Sequence, residues 1–176
     1  MAGYIDDISK EPERNLTTLQ TGNIVLDAVV SAKLWLAQSR DIEVSLQAVY
    51  PEHNPVSDND LCSIAGNLLD NAIEACGRMA DTSGKKFIAL SILVKGKNLI
   101  LSISNSFDSE LKREGGRYLT QKEGRFHGMG IAHVDSIVSR YQGQIIREHD
   151  HGIFETRVML PLLPLKKELK LYTNTG

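Results

Sequence analysis

A chain of 176 residues with 41% hydrophobic and 24% charged residues is long enough for one packed domain and ordinary for a globular one. Its net charge of −2, with both signs interspersed, argues against a dedicated nucleic-acid surface. No apolar run reaches the roughly 18 residues that a membrane helix needs and no signal peptide is recognisable, so the expected setting is cytoplasmic, with no membrane contact by this chain.

Residues 1–21 are polar, and Tyr4, Ile5 and Ile8 are the only sizeable apolar group before Pro12. They read as the end of a helix. Asn23 to Arg40 reads as a helix whose apolar positions Ile24, Val25, Ala28, Val29, Ala32, Leu36 and Ala37 recur at helical spacing. Ile42 to Tyr50 alternates Ile42, Val44, Leu46 and Ala48, the pattern of a half-buried strand. Asp58 is the expected N-cap of the next helix, which runs to Met79.

That helix is apolar around most of its circumference, with Leu61, Ile64, Ala65, Leu68, Leu69, Ala72, Ile73, Ala75 and Cys76 on the expected inner side. Cys62 and Cys76 both lie on it, roughly 21 Å apart, so they read as buried thiols and not as a disulfide. Asn67, Asp70, Asn71 and Glu74 fall at i, i+3, i+4 and i+7 and stack on one narrow polar stripe without Lys or Arg. Asn costs roughly 0.5 kcal/mol relative to Ala inside a helix, so two of them there call for an explanation. Amide and carboxylate oxygens suit a hard cation such as Mg²⁺ that also holds phosphates.

Two strands, Phe87 to Val94 and Leu99 to Asn105, flank the turn Lys95-Gly96-Lys97-Asn98 and read as a hairpin. Residues 106–127 lack an apolar period and form an expected lid, with Thr120 and Lys122 available to phosphates. His127-Gly128-Met129-Gly130 stands at a helix N-terminus, where free N–H groups favour an anion and glycines allow close approach. The helix that follows Gly130 presents Ile131, Val134, Ile137, Val138 and Tyr141 inward. Gln144 to Glu148 and Ile153 to Leu160 form a second hairpin around Asp150-His151-Gly152. Asn105 closes a strand where its amide could accept from an adenine amino group and donate to a ring nitrogen. The order predicts an α/β (α+β) two-layer sandwich with a mixed, mostly antiparallel sheet and helices on one face.

Asn67-Leu68-Leu69-Asp70-Asn71-Ala72-Ile73-Glu74-Ala75 resembles the N box of the GHKL superfamily of ATP-binding domains, and His127-Gly128-Met129-Gly130-Ile131 resembles its second glycine box. The Thr21-Gly22-Asn23…Leu26-Asp27-Ala28…Ser31-Ala32-Lys33 helix and the terminal Val158-Met159-Leu160-Pro161 strand are similar to those of peptide-sensing, quorum-sensing sensor histidine kinases. The resemblance implies a Bergerat-type fold that binds ATP and Mg²⁺, with Asn71 ligating the metal and Asn67 supporting it. Asp70 belongs to the same box. It implies that Asn105 reads adenine and that Lys122, His127, Gly128 and Gly130 line the triphosphate. Where relatives carry Asp-x-Gly-x-Gly, this chain has Asn105-Ser106-Phe107-Asp108-Ser109, and a neutral amide accepts more weakly than a carboxylate.

Relatives that hydrolyse ATP carry Glu at the position of Asn67, and an amide cannot take a proton. The resemblance therefore implies γ-phosphoryl transfer to a His on a separate dimerisation domain of the same receptor, with a response regulator downstream. No His of this chain lies on an N-terminal helix. The expected organisation is the end of a dimerisation helix or linker over 1–20, the catalytic domain over 21–162 with its lid, and an extension over 163–176. The expected full-length receptor is membrane-bound. The alternative is a degenerate, non-catalytic module that acts by binding a protein partner.

Overall fold

The computed structural model describes residues 17–80, 84–108, 113–114, 117–118 and 127–163, without the side chains of 113, 114, 117, 118, 127 and 128. Lys122, Thr120 and most of the expected lid lie outside the described residues.

The elements are α1 (Ile24–Ser39), β1 (Glu43–Ala48), α2 (Asp58–Arg78), β2 (Phe87–Lys95), β3 (Asn98–Ser106), β4 (Arg113–Glu114), β5 (Arg117–Tyr118), α3 (His127–Arg140), β6 (Gln144–Asp150) and β7 (Ile153–Pro161). Five strands form one sheet in the order β1-β2-β3-β7-β6, and β4 pairs with β5. The β1–α2–β2 crossover makes β1 and β2 parallel, and the other pairings in the sheet are antiparallel. This is the expected mixed α+β sandwich.

Both expected hairpins form with two-residue turns. Gly96 has φ 60, and His151 and Gly152 have φ 46 and 77, which suits the right-handed twist of the strands they join. Alternation along β3 sends Leu99, Leu101 and Ile103 into the core against α2, while Ile100, Ser102 and Ser104 stay half-exposed on the opposite face. The helices therefore cover one face only.

Three local expectations change. Ser57, not Asp58, caps α2: its Oγ accepts from the Asp60 N–H at 3.2 Å. Asp58 sits in the first turn, where its charge favours the helix dipole and its carboxylate accepts from Asn23 Nδ2 at 2.7 Å. Helix α3 begins at His127 instead of after Gly130, so the glycines form its first turn.

The third change concerns α1, whose buried residues are Leu26, Val30, Leu34 and Ala37. Of the apolar positions that marked this helix in the sequence, Ile24, Val25, Ala28, Val29, Ala32, Leu36 and Ala37, only Ala37 is buried. Apolar residues nearly encircle this helix, so two faces satisfy the same period. Packing against α2 and β1 selects one of them. Leu19 is also buried, so core packing begins upstream of residue 21.

Gly143 joins α3 to β6 so closely that an added Cβ would stand 2.5 Å from the Met159 carbonyl oxygen. Backbone cannot yield as a side-chain tip does. Gly143→Ala should destabilise the domain by about 2–4 kcal/mol, read as a lower urea midpoint at unchanged m-value. An unchanged midpoint would contradict this packing.

Candidate functional site

The polar stripe of α2 is neither solvated nor buried: Asn67, Asp70, Asn71 and Glu74 are all half-buried. Neighbours engage three of the four. Asn67 Nδ2 donates to the Ser63 carbonyl at 2.7 Å. Asp70 accepts from Lys33 of α1 at 2.6 Å, and Glu74 accepts from Arg78 at 2.8 Å. Among the described residues, nothing engages the Asn71 amide. A half-buried amide without a partner, at a position where Ala would favour the helix, suits a ligand better than the fold.

The Asn67 bond orients its amide, because a carbonyl only accepts; Oδ1 is thereby turned away from the α2 backbone. It faces α3, where it stands 2.7 Å from the position a Cβ would take on Gly130. Only glycine lets the first turn of α3 approach this amide so closely. The N–H groups of that turn, which have no partner within the helix, therefore belong to a positive helix end next to oxygen donors. His127 and Gly128 belong to the same turn by their backbone.

Asn105 is the penultimate residue of β3, the middle strand, and its side chain is buried on the helix side. One of its N–H groups donates to the Ser106 carbonyl at 2.9 Å, leaving Oδ1 and one N–H for a ligand. The strand end is pinned from two sides. Ser106 Oγ accepts from the Phe87 N–H at 2.9 Å, and Cys76 Sγ lies 3.4 Å from both the Phe87 and Ser106 carbonyls. Burial pushes the Cys76 thiol above its ordinary value, against weaker lowering by its hydrogen bonds, so it is a packing group and not a nucleophile.

Sequence reading missed Thr156. It alternates with Val158 and Leu160 along β7, opposite Ile103, and is buried on the same face as Asn105. A lone Thr in an alternating strand is common, and only the cross-strand register, which pairs Thr156 with Ile103 and Asn105 with Phe154, puts it on the Asn105 face of the neighbouring strand.

A clamp at the other end of α2 and α3 holds the two helices together. The Asp60 carboxylate accepts from Tyr141 Oη at 2.6 Å, Arg140 Nη2 at 2.7 Å and Ser57 Oγ at 2.9 Å. Burial alone would raise the Asp60 pKa, but these hydrogen bonds and the Arg140 charge together outweigh it and hold the carboxyl below its ordinary value. A depressed folded-state pKa contributes stability that is present above about pH 4 and is lost as pH falls through the lowered value. Asp60→Asn should thus be less stable than the parent at pH 7, and the difference should shrink below pH 4. A difference that persists unchanged at pH 2 would mean that charge is not what the clamp uses.

Among the described residues no group of three His, Cys, Asp or Glu side chains could hold a metal ion alone. A cation here would take one or two amide oxygens and complete its shell with water and a ligand's own oxygens, which is the habit of Mg²⁺. Asn71 and Asn67 Oδ1 offer that donor set.

The family model described as "GHKL domain" matches residues 57–161. The catalytic domain of the histidine kinase ThkA, in a nucleotide-free form, superposes with a TM-score of 0.61 at 16% identity, over 81% of this chain and 93% of that one. The Acinetobacter baumannii histidine kinase AdeS gives 0.59 at 19% identity, over 81% of this chain and 65% of that one. The histidine kinase domain of the Erythrobacter litoralis EL346 blue-light-activated kinase gives 0.61 at 12% identity, over 84% and 64%. At these identities the likeness speaks for the fold. No curated protein matches the chain.

Proposed function

The chain belongs to the GHKL domain family, and on that premise we propose that it is the ATP-binding catalytic domain of a two-component sensor histidine kinase of the quorum-sensing type. In this reading it binds Mg²⁺-ATP and passes the γ-phosphoryl to a His on a separate dimerisation domain of the same receptor, and a response regulator receives it afterwards. The full-length receptor is membrane-bound and this domain is cytoplasmic. The observation that carries the reading is the unengaged Asn71 amide beside the Asn67–Gly130 approach.

Asn71 is the protein ligand of Mg²⁺, with Asn67 Oδ1 supporting the ion or its water, and Asp70 keeps Lys33 in place at the edge of the stripe. When bound, Mg²⁺ would supply charge neutralisation of the phosphates and alignment of the γ-phosphoryl. Gly128, Gly130 and the backbone N–H groups from His127 onward receive the phosphates, with Lys122 as a further point charge. Asn105 meets the adenine amino group through Oδ1, and Thr156 lies on the same face of the neighbouring strand. Since amides take no proton, the domain has no general base of its own at Asn67, and transfer rests on positioning.

Titration calorimetry of the chain with ATP and GTP, each with and without Mg²⁺, tests the reading. Expected is Mg²⁺-dependent binding with a preference for ATP. Equal binding of both nucleotides would remove Asn105 from its role. Absence of binding would favour the partner-binding module, for which the neutral amide in place of the usual acid is the motivating feature.

A further inference from the structure

The polar residues of Thr21-Gly22-Asn23…Asp27…Lys33 each find a partner. Asp27 accepts from the Thr21 and Gly22 N–H groups at 3.0 and 3.2 Å and from Thr21 Oγ1 at 2.6 Å. Asn23 Oδ1 caps α1 at the Leu26 N–H, 3.0 Å away, and its Nδ2 reaches Asp58 of α2 at 2.7 Å. Further along, Val29 Cγ1 stands 3.9 Å from the position a Cβ would take on Gly66, and Lys33 Nζ donates to Asp70 Oδ1 at 2.6 Å. The contacts advance together along both helices, so α1 and α2 run in the same direction. Their packing fixes the place of Lys33.

That place matters for charge. The stripe on α2 presents two carboxylates, Asp70 and Glu74, and each meets a cation, Lys33 from α1 and Arg78 from α2 itself. These four charges sum to zero. Among the described residues, the bare stripe therefore offers a divalent ion only amide dipoles and carboxylates already in contact with a cation. Asp70 is the more telling of the two, because along the helix it lies between Asn67 and Asn71, whereas Glu74 lies nearly a turn beyond. Mg²⁺ gives up its water reluctantly and favours anionic oxygens, so a free carboxylate beside the two amides would change what the site can hold by itself.

We infer that Lys33 is a positioning residue for the cation. By holding the Asp70 carboxylate it keeps the bare protein from taking up a divalent ion, and the missing negative charge is left for the phosphates of a nucleotide to supply. The metal then enters with its nucleotide and not before it. This deepens the metal role proposed for Asn71 and rests on that reading.

Mn²⁺, added alone as a hard divalent probe, tests this through electron paramagnetic resonance, which counts the free ion. The chains compared are the parent, Lys33→Met, Lys33→Arg and the double variant Lys33→Met, Asp70→Asn. Methionine keeps the unbranched stem and removes the charge. The Lys33 side chain is 31% exposed, so its pair adds little to stability, and circular dichroism checks that each variant is folded. Lys33→Met should bind Mn²⁺ at least about fivefold more tightly than the parent. Lys33→Arg should match the parent because the charge is kept, and the double variant should match it because the freed carboxylate is gone. Equal Mn²⁺ binding by the parent and Lys33→Met overturns the inference. A gain that persists in the double variant overturns it as well, since Asp70 is then not the group released. No nucleotide is used, so absence of ATP binding in calorimetry would refute the kinase reading while this comparison still decides on Lys33.

Discussion

Replacing Asn71 with Ala should weaken Mg²⁺-dependent ATP binding by about 100-fold, or about 3 kcal/mol, while leaving the fold intact or slightly firmer. The two halves of this expectation have separate causes. Among the described residues nothing engages the Asn71 amide, so its removal breaks no internal hydrogen bond. Ala is the better helix former by roughly 0.5 kcal/mol, so thermal stability should hold or rise. Binding loses the oxygen assigned to the metal. Affinity measured without Mg²⁺ should change little between parent and variant. A variant that binds Mg²⁺-ATP as the parent does would sink the metal assignment, whatever its melting temperature.

Gly130→Ala should weaken nucleotide binding by about tenfold or more with little change in the unfolding midpoint. The new Cβ would meet Asn67 Oδ1 at 2.7 Å, and the atom that must move is the end of a side chain and not backbone. The cost to folding is therefore small, and helix propensity offsets it by up to about 1 kcal/mol. The cost to the site is the displacement of Asn67 from its place between Ser63 and α3. A double-mutant cycle separates this from a loss of phosphate access. If the clash with Asn67 is the whole effect, Gly130→Ala should add nothing in an Asn67→Ala background. If it still costs tenfold there, the glycine matters for the phosphates themselves. An unchanged affinity in the single variant would remove Gly130 from the site.

Gly143→Ala acts differently because its neighbour is a carbonyl of β7 that the sheet holds in place. One glycine guards the site and the other guards the fold. The sequence marks Gly130 through its glycine box, whereas the close approach of Gly143 to β7 is visible only in the packed structure. Asp60 likewise reads as a first-turn acid of α2, yet it ties that helix to the far end of α3 and so helps set the spacing at which Gly130 meets Asn67.

What the sequence by itself determined are the features written at short range. The polar stripe follows from positions 67, 70, 71 and 74, because one helical turn decides who shares a face. The two hairpins follow from Gly96 and Gly152 between alternating segments, because turn chemistry is local. The buried face of α2 follows because a narrow polar stripe leaves most of its circumference apolar, and the structure buries every expected residue there except the half-buried Ala75. Tertiary structure alone decided the rest. Leu26, Val30 and Leu34 face the core, while Ile24, Val25 and Trp35 do not, although both sets meet the helical period. Thr156 came to share a face with Asn105 only through the β3–β7 register, and Asn67 met Gly130 only when α2 packed on α3. Periodicity says which residues of one element share a side. Which side is buried, and what stands across from it, is settled by the free energy of packing elements that lie far apart in the chain.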